Sequence, residues 1–232
     1  MKIGIIILSR FNSSRLPGKA LMNINGKPLL EHIVYRISLI TFPVDYCIAT
    51  SESDLDKPIV DFCKQKGFNY FRGSLNNVAE RFLNCAINKN WDYAVRINGD
   101  NLFVDIDTLE EMARHILKYK YNFFTNVPGR TFPYGMSIEI IKTSYYKEIY
   151  KQIRSIYHLE HVTSYIYEND MVIKKNIFIN NCYPNLKDFK LAIDDYKDVL
   201  NVNKIFSLLP NLKYIGIKEI SLLIEKKLLK FD

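Results

Sequence analysis

The sequence predicts an α/β protein built on a mostly parallel, doubly wound sheet, with a small α+β extension in its second half. Three observations carry this. Ile3 to Leu8 form a nearly unbroken apolar run, as expected of a strand covered on both faces. Short apolar runs then alternate with amphipathic helical patterns as far as about residue 120, the signature of βαβ units. Beyond that point the alternation gives way to strand-like segments separated by one helical stretch.

The elements follow in order. After the first strand comes a polar loop, Ser9 to Lys19. Pro28 to Ile40 reads as a helix, because Leu29, Leu30, Ile33, Val34 and Ile37 share one face. Val44 to Ala49 is a second strand. Asp56 to Lys66 is a helix with Pro58 in its first turn and Gly67 at its end. Tyr70 and Phe71 form a short strand, Asn77 to Asn88 a helix, and Tyr93 to Ile97 a strand. Asp107 is the expected N-cap of a helix carrying Leu109, Met112, Ala113, Ile116 and Leu117. In the second half, Tyr121 to Thr125, Ser137 to Ile141 and Met171 to Ile179 read as strands, with helix over Ser144 to Tyr167. Leu191 to Asp194 reads as a returning strand, Val199 to Leu209 as a helix, and Lys218 to Phe231 as a terminal amphipathic helix.

Composition fits this picture. The 232 residues are 48% hydrophobic and 25% charged, which argues against disorder. No linker, repeat or low-complexity segment interrupts them, so residues 1–232 are expected to form a single domain. No apolar run is long enough to span a bilayer, and the opening reads as a core strand and not a signal peptide. Cys47, Cys63, Cys85 and Cys182 show no metal-ligand spacing; free thiols and a cytoplasmic location are expected. The net charge of +7 points to an anionic partner. No basic tract interleaved with aromatics supports nucleic acid.

In an open parallel sheet, ligands sit beyond the carboxyl ends of the strands. Three polar segments fall there. The loop SRFNSSRLPGK, residues 9–19, holds Arg10, Arg15 and Lys19 with Ser13, Ser14 and Gly18. Small residues let backbone N–H groups turn toward an anion, and the cations can hold phosphate oxygens. Neither a GxxxxGK[ST] nor a GxGxxG pattern is present. VRINGDN, residues 95–101, places Asp100 at the same rim. LAIDDYKD, residues 191–198, places Asp194 there, while Asp195 and Asp198 also suit helix capping. Mg²⁺ prefers one or two carboxylates plus substrate phosphates, so Asp100 and Asp194 are the candidate metal ligands. Glu139 lies inside a strand, and His158, Glu160 and His161 form a weak His-x-x-His spacing.

At the level of whole blocks the chain resembles the cytidylyltransferases, most of all the spore-coat polysaccharide biosynthesis protein F group, and is similar to the CMP-KDO and CMP-sialic acid synthetases. The blocks are SRFNSSRLPGKALMNINGKPLLEHIVYRI, FRGSLNNVAERF (71–82), VRINGDNLFVD, RTFPYGMSIEI (130–140), LEHVTSYIY and LAIDDYKDV, in that order to about residue 200. The resemblance implies a Rossmann-like nucleotide-diphosphosugar transferase fold. It further implies transfer of CMP from CTP to an acidic sugar, sugar phosphate or related alcohol, with Mg²⁺ and release of pyrophosphate, for polysaccharide or glycan synthesis. Carried over, Arg10, Ser13, Arg15 and Lys19 hold the triphosphate, with Arg15, Lys19 and Asp100 catalytic. Arg72, Gly73, Ser74 and Asn77 lie near the cytidine, and Asp100 and Asp194 hold Mg²⁺. Glu160 or His161 orients the acceptor, Arg130 or Lys190 binds its anionic group, and Glu139 belongs to a substrate-side block. Family members pair through their second half, so residues 125–180 are the expected homodimer surface; filling the core with those aromatics is the competing expectation.

Two other functions suit the sequence. A glycosyltransferase of the same fold type would use an Asp-x-Asp metal pair, a spacing met by Asp105 and Asp107. The other is a non-catalytic nucleotide-binding subunit, against which the presence of Lys19, Asp100 and Asp194 weighs.

Overall fold

The computed structural model describes residues 1–13, 15–169 and 174–229. Ser14 of the loop, Met171 to Ile173 of the expected strand, and Lys230 and Phe231 of the expected last helix lie outside the described residues.

Nine strands and nine helices are present among the described residues: β1 (Ile3–Leu8), β2 (Asn23–Ile24), β3 (Lys27–Pro28), α1 (Leu29–Ser38), β4 (Val44–Ser51), α2 (Lys57–Lys66), β5 (Tyr70–Gly73), α3 (Val78–Asn88), β6 (Tyr93–Asn98), α4 (Ile106–Tyr119), β7 (Phe123–Thr125), β8 (Glu139–Lys142), α5 (Thr143–Tyr150), α6 (Ile156–Glu160), α7 (Ser164–Glu168), β9 (Lys175–Ile177), α8 (Tyr196–Leu208) and α9 (Ile217–Glu225). Seven strands form one sheet in the order β5-β4-β1-β6-β8-β7-β9, and β2 and β3 make a separate two-residue hairpin. The first four are parallel, β8 runs antiparallel to β6 and β7, and β9 is parallel to β7. The sheet is therefore the mostly parallel α/β arrangement the alternation predicts.

β1 lies in the middle because its side chains are apolar on both faces. Ile3, Ile5 and Ile7 join one core cluster, with α1, α4, α8 and α9 contributing to it. Ile6 faces the other, with residues of α3, α5 and α7. Burying each such side chain contributes roughly 1.5–3 kcal/mol, which makes this strand the spine of the fold. The chain reverses its direction of travel across the sheet between β1 and β6, whose register pairs Leu8 with Asn98. A crevice beyond the carboxyl ends of two such strands is where ligands bind in open α/β sheets.

Four expectations need correction. The N-cap of α4 is Asp105, not Asp107; its carboxylate accepts from Thr108 N–H (2.9 Å), Ile217 N–H (3.0 Å) and the Tyr214 hydroxyl (3.1 Å). The stretch Ser144 to Tyr167 is three short helices, because Ile153 to Ser155 and His161 to Thr163 break it. Leu191 to Asp194 is irregular, joined to the rest by a bridge at Lys190 and by turns of the Tyr134 backbone. The last helix ends at Glu225, since Lys226 leaves the helical pattern and Lys227 takes a positive φ of 57°. Cys47, Cys63 and Cys85 are buried free thiols, while Cys182 is free and exposed. Among the described residues, no helix is long and apolar enough to cross a membrane.

Candidate active site

The loop after β1 is tied down from below. Its first residue is anchored by a Ser9 N–H donating to Ala49 O (3.1 Å), and Gly18 N–H folds back onto Phe11 O (2.8 Å). Leu16 is buried, pinning the loop's middle. Asp56, expected only to begin α2, fixes the loop's entry. It accepts from Phe11 N–H (2.7 Å), Ser51 N–H (3.0 Å) and the Ser51 hydroxyl (2.5 Å). Burial alone would raise the Asp56 pKa, but these donors outweigh it and hold the carboxyl below its ordinary value.

Gly99 brings the end of β6 against this loop. Its N–H donates to Leu8 O (2.8 Å), and a Cβ there would lie 2.8 Å from Ser9 Oγ and 2.9 Å from Leu8 O. Only glycine permits that approach, and it sets Asp100 directly beside the loop. The third segment arrives by a similar device. Gly135 has φ +105°, and a Cβ there would lie 2.3 Å from Ala192 N. The Tyr134 carbonyl accepts from Leu191 and Ala192 N–H, and Ile193 N–H donates to Asp100 O (3.2 Å). Asp194 therefore stands next to Asp100 although no strand holds it.

These three segments converge on Lys19. Its ammonium donates to Ile193 O (2.8 Å), Asp100 Oδ2 (2.9 Å) and Asp194 Oδ1 (3.4 Å). Arg15 Nη2 reaches the same Asp194 oxygen at 2.7 Å. Lys190 approaches Asp194 Oδ2 at 3.3 Å and Asp198 Oδ2 at 2.6 Å. Asp198 also accepts from the N–H groups of Asp194 (2.7 Å) and Asp195 (3.1 Å), while Asp195 caps α8. Burial opposes the charged form of Lys190, but Asp198 and Asp194 outweigh it and raise its pKa. So Asp194, not Asp195, joins Asp100 at the rim.

The second group of expected residues lies along β5 and the turn into α3. Arg72 donates to the carbonyls of Ser51 (3.1 Å) and Ser53 (3.3 Å). The Ser74 hydroxyl accepts from Asn77 N–H, and Asn77 caps α3 while donating to the Tyr150 hydroxyl (2.8 Å). Gly73 closes β5, its carbonyl accepting from Glu52 N–H. Beneath this turn lies Arg81, which no motif in the sequence marks. It is 1% exposed, donates to Ser74 O (2.6 Å), and leaves Nε without a partner. Desolvation first, then the neighbouring Arg10, pulls its pKa down to about 10. A buried arginine on a helix whose other inward residues are apolar is the signal that could have found it.

Arg10 Nη2 pairs with Glu160 Oε1 at 2.5 Å, which links the loop to α6. Ser13 is half-buried within the same loop. His161 falls just past the end of α6 and packs against Tyr157, with ring centroids 4.5 Å apart. His158 is committed elsewhere, to Ser164 Oγ (2.8 Å) and Glu168 (3.3 Å), so the His-x-x-His spacing does not produce a joint site. Glu139 is not available to a substrate. It is 1% exposed in β8, ion-paired with Arg96 of β6, and accepts from the Tyr167 hydroxyl (2.6 Å). The β6–β8 register that sets Arg96 opposite Glu139 explains the charged residue inside the strand.

Arg130 lines an open cleft of about 500 Å³ together with Arg15, Lys187, Asp188, Lys190 and Asp194. Its guanidinium lies 5.0 Å from the centre of the Tyr134 ring. The cleft thus shares Arg15 and Asp194 with the Lys19 cluster, and its four cations outnumber the carboxylates of Asp188 and Asp194. Asp105 is buried and committed to capping α4, while Asp107 is exposed, so Asp105-Ile106-Asp107 does not form a metal pair at this rim.

Comparison with known proteins agrees with this geometry. The residue pattern of the cytidylyltransferase family matches residues 4–230. An uncharacterized protein of Methanocaldococcus jannaschii is 33% identical over 215 residues, covering 88% of this chain and 87% of its own. The spore coat polysaccharide biosynthesis protein SpsF of Bacillus subtilis is 27% identical over 208 residues, covering 87% and 85%. The solved structure of a cytidylyltransferase from Leptospira borgpetersenii superposes with a TM-score of 0.90 at 29% identity, covering 98% of this chain and 95% of that one. With the match spanning nearly the whole chain and the rim of β1 and β6 carrying the charged cluster, the chain belongs to the cytidylyltransferase family and is a CTP-dependent nucleotidyltransferase.

Proposed function

We propose that the protein transfers CMP from CTP to an anionic acceptor, an acidic sugar or sugar phosphate, and releases pyrophosphate. The observation that carries this is the juxtaposition of two sites. Arg15 and Asp194 of the Lys19 cluster also line the cleft that holds Arg130, Lys187 and Lys190. The cluster suits a triphosphate and the cleft suits the negative group of an acceptor.

Asp100 and Asp194 fit a magnesium ion, because both present hard oxygen donors around a position that already holds a cation, the Lys19 ammonium. When bound there with the nucleotide, the metal would supply charge neutralisation at the phosphates. The protein's own residues do the rest. The side chains of Ser13 and Arg10 hold the phosphates in place, and Lys19 and Arg15 meet the charge that builds up as the acceptor oxygen attacks the α-phosphorus. The Arg72–Asn77 turn, braced by Arg81, carries the nucleoside. Arg130 or Lys190 binds the anionic group of the acceptor, and Glu160 or His161 orients it. Phosphoryl-type transfers of this kind depend on positioning and electrostatics more than on covalent steps. A cytoplasmic setting, where CTP is made, and a role in building surface polysaccharide or glycan belong to the same proposal. So does a homodimer through residues 125–180, where Ile156, Tyr157, Ile177 and Ile179 are exposed while Phe132 and Tyr146 fill the core; light scattering would show a monomer if that portion of the proposal is wrong.

The test is a screen for pyrophosphate release from CTP and Mg²⁺ against acidic sugars, sugar phosphates and neutral polyols. Release with an anionic acceptor supports the proposal. Release of a nucleoside diphosphate from a nucleotide sugar would replace it with the glycosyltransferase function.

A further inference from the structure

Each cation of the loop after β1 is closed on a carboxylate from a distant segment: Arg10 on Glu160, Arg15 on Asp194, and Lys19 on Asp100 and Asp194. At the rim itself the charges balance, with Lys19, Arg15 and Lys190 facing Asp100, Asp194 and Asp198. The Lys19 ammonium is the central cation. Three oxygens surround it at 2.8, 2.9 and 3.4 Å, and its side chain is 13% exposed.

We propose that Lys19 occupies the divalent-metal position in the nucleotide-free protein, so that metal and triphosphate enter together by an exchange of partners. This rests on the function proposed above. A divalent cation arriving alone meets a cluster that is already neutral, and it must compete with an ammonium for the oxygens of Asp100 and Asp194. Lys19 is too enclosed to retreat into bulk water at no cost, because a buried ammonium needs a replacement acceptor. A phosphate supplies one. Lys19 and Arg15 then turn from carboxylates to phosphate oxygens, and the carboxylates become free for the metal. Each ligand thereby prepares the site for the other, and the coupling is reciprocal by linkage. The Ile193 carbonyl, held by the bond from its own N–H to Asp100 O, keeps the two carboxylates in register during the exchange.

The probe is Mn²⁺, followed by electron paramagnetic resonance on the full chain without nucleotide. Lys19→Met removes the resident cation and is expected to bind Mn²⁺ at least tenfold more tightly than the wild type. Adding Asp194→Asn to that variant is expected to reverse the gain. Equal Mn²⁺ affinity in wild type and Lys19→Met would overturn the exchange. Lys19→Gln is the second variant, and circular dichroism establishes that each is folded. Should neither fold, the wild type decides. Its Mn²⁺ affinity must rise at least tenfold when CTP is added, beyond what CTP binds in solution, and tight Mn²⁺ binding without nucleotide would overturn the proposal. Pyrophosphate release is measured separately. Release together with an unchanged Mn²⁺ affinity in Lys19→Met refutes the exchange and leaves the proposed function standing. A Mn²⁺ gain without CTP turnover does the reverse.

Discussion

Arg15 and Asp194 lie 179 residues apart in sequence and 2.7 Å apart in space. Arg15 is 66% exposed at its side chain, while Asp194 is 5% exposed. An ion pair with one partner in solvent contributes about 1 kcal/mol or less to stability. On the proposed function its chemical effect is larger, because both groups belong to the triphosphate and metal site. Arg15→Ala is therefore expected to unfold at nearly the wild-type temperature yet lose on the order of 10²-fold in pyrophosphate release. Calorimetry and a coupled pyrophosphate assay check the two halves. A large loss of stability would make Arg15 a structural residue.

Gly135→Ala should act in the opposite way. The residue sits at φ +105° against the backbone of Ala192, with no room for a Cβ. Strain of about 1–3 kcal/mol is expected from the backbone alone, and the segment that carries Asp194 must shift to relieve it. Denaturant melts and CTP–Mg²⁺ calorimetry should both show the loss. Unchanged nucleotide binding would mean that Asp194 is positioned by its own hydrogen bonds.

Asp56 gives a pH signature. Its pKa is below the ordinary 3.8, so it contributes stability that is fully present above that value and is lost as pH falls through the lowered one. Asp56→Asn should cost roughly 1–3 kcal/mol at pH 7 by weakening the bonds to Phe11 and Ser51. The cost should shrink as the wild type is taken below pH 3.8. Paired urea melts across pH 2–7 test this, and a constant difference would contradict it.

Glu139 and Arg96 predict a structural defect, not a substrate defect. Glu139→Ala leaves Arg96 without its counter-charge and should cost about 3–5 kcal/mol. The milder Tyr167→Phe removes one hydrogen bond to Glu139 and should cost roughly 1–3 kcal/mol. Tyr167→Phe should keep an unchanged KM for the acceptor. A raised acceptor KM would restore Glu139 to the substrate side.

Local rules made much of the fold legible. β1 reads as a buried strand because both faces are apolar, α2 ends at Gly67 because the residue takes a left-handed conformation, and Asp198 behaves as a capping residue. The loop cations and Asp100 were legible because they follow the buried strands β1 and β6, whereas Asp194 reaches the same rim on irregular chain, not at the strand end its sequence predicts. What escaped was set by distant partners. Asp105 and Asp107 are equivalent as caps in sequence, and only Tyr214 and Ile217, more than 100 residues on, select Asp105. Glu139 looks like a substrate ligand until the β6–β8 register reveals Arg96. Leu191 to Asp194 has strand composition, yet Gly135 and Tyr134 hold it as irregular chain. Asp56 and Arg81 support the site from below through contacts that no spacing encodes.

The most direct test of CMP transfer is phosphorus NMR of a reaction containing CTP, Mg²⁺ and the acceptor found by the screen. Equimolar pyrophosphate and a new signal from CMP joined to the acceptor are predicted, a phosphodiester if a hydroxyl attacks and a diphosphate if a phosphate does, and both products should vanish in Asp100→Asn. Appearance of CDP and inorganic phosphate, or undiminished turnover in Asp100→Asn, would contradict it.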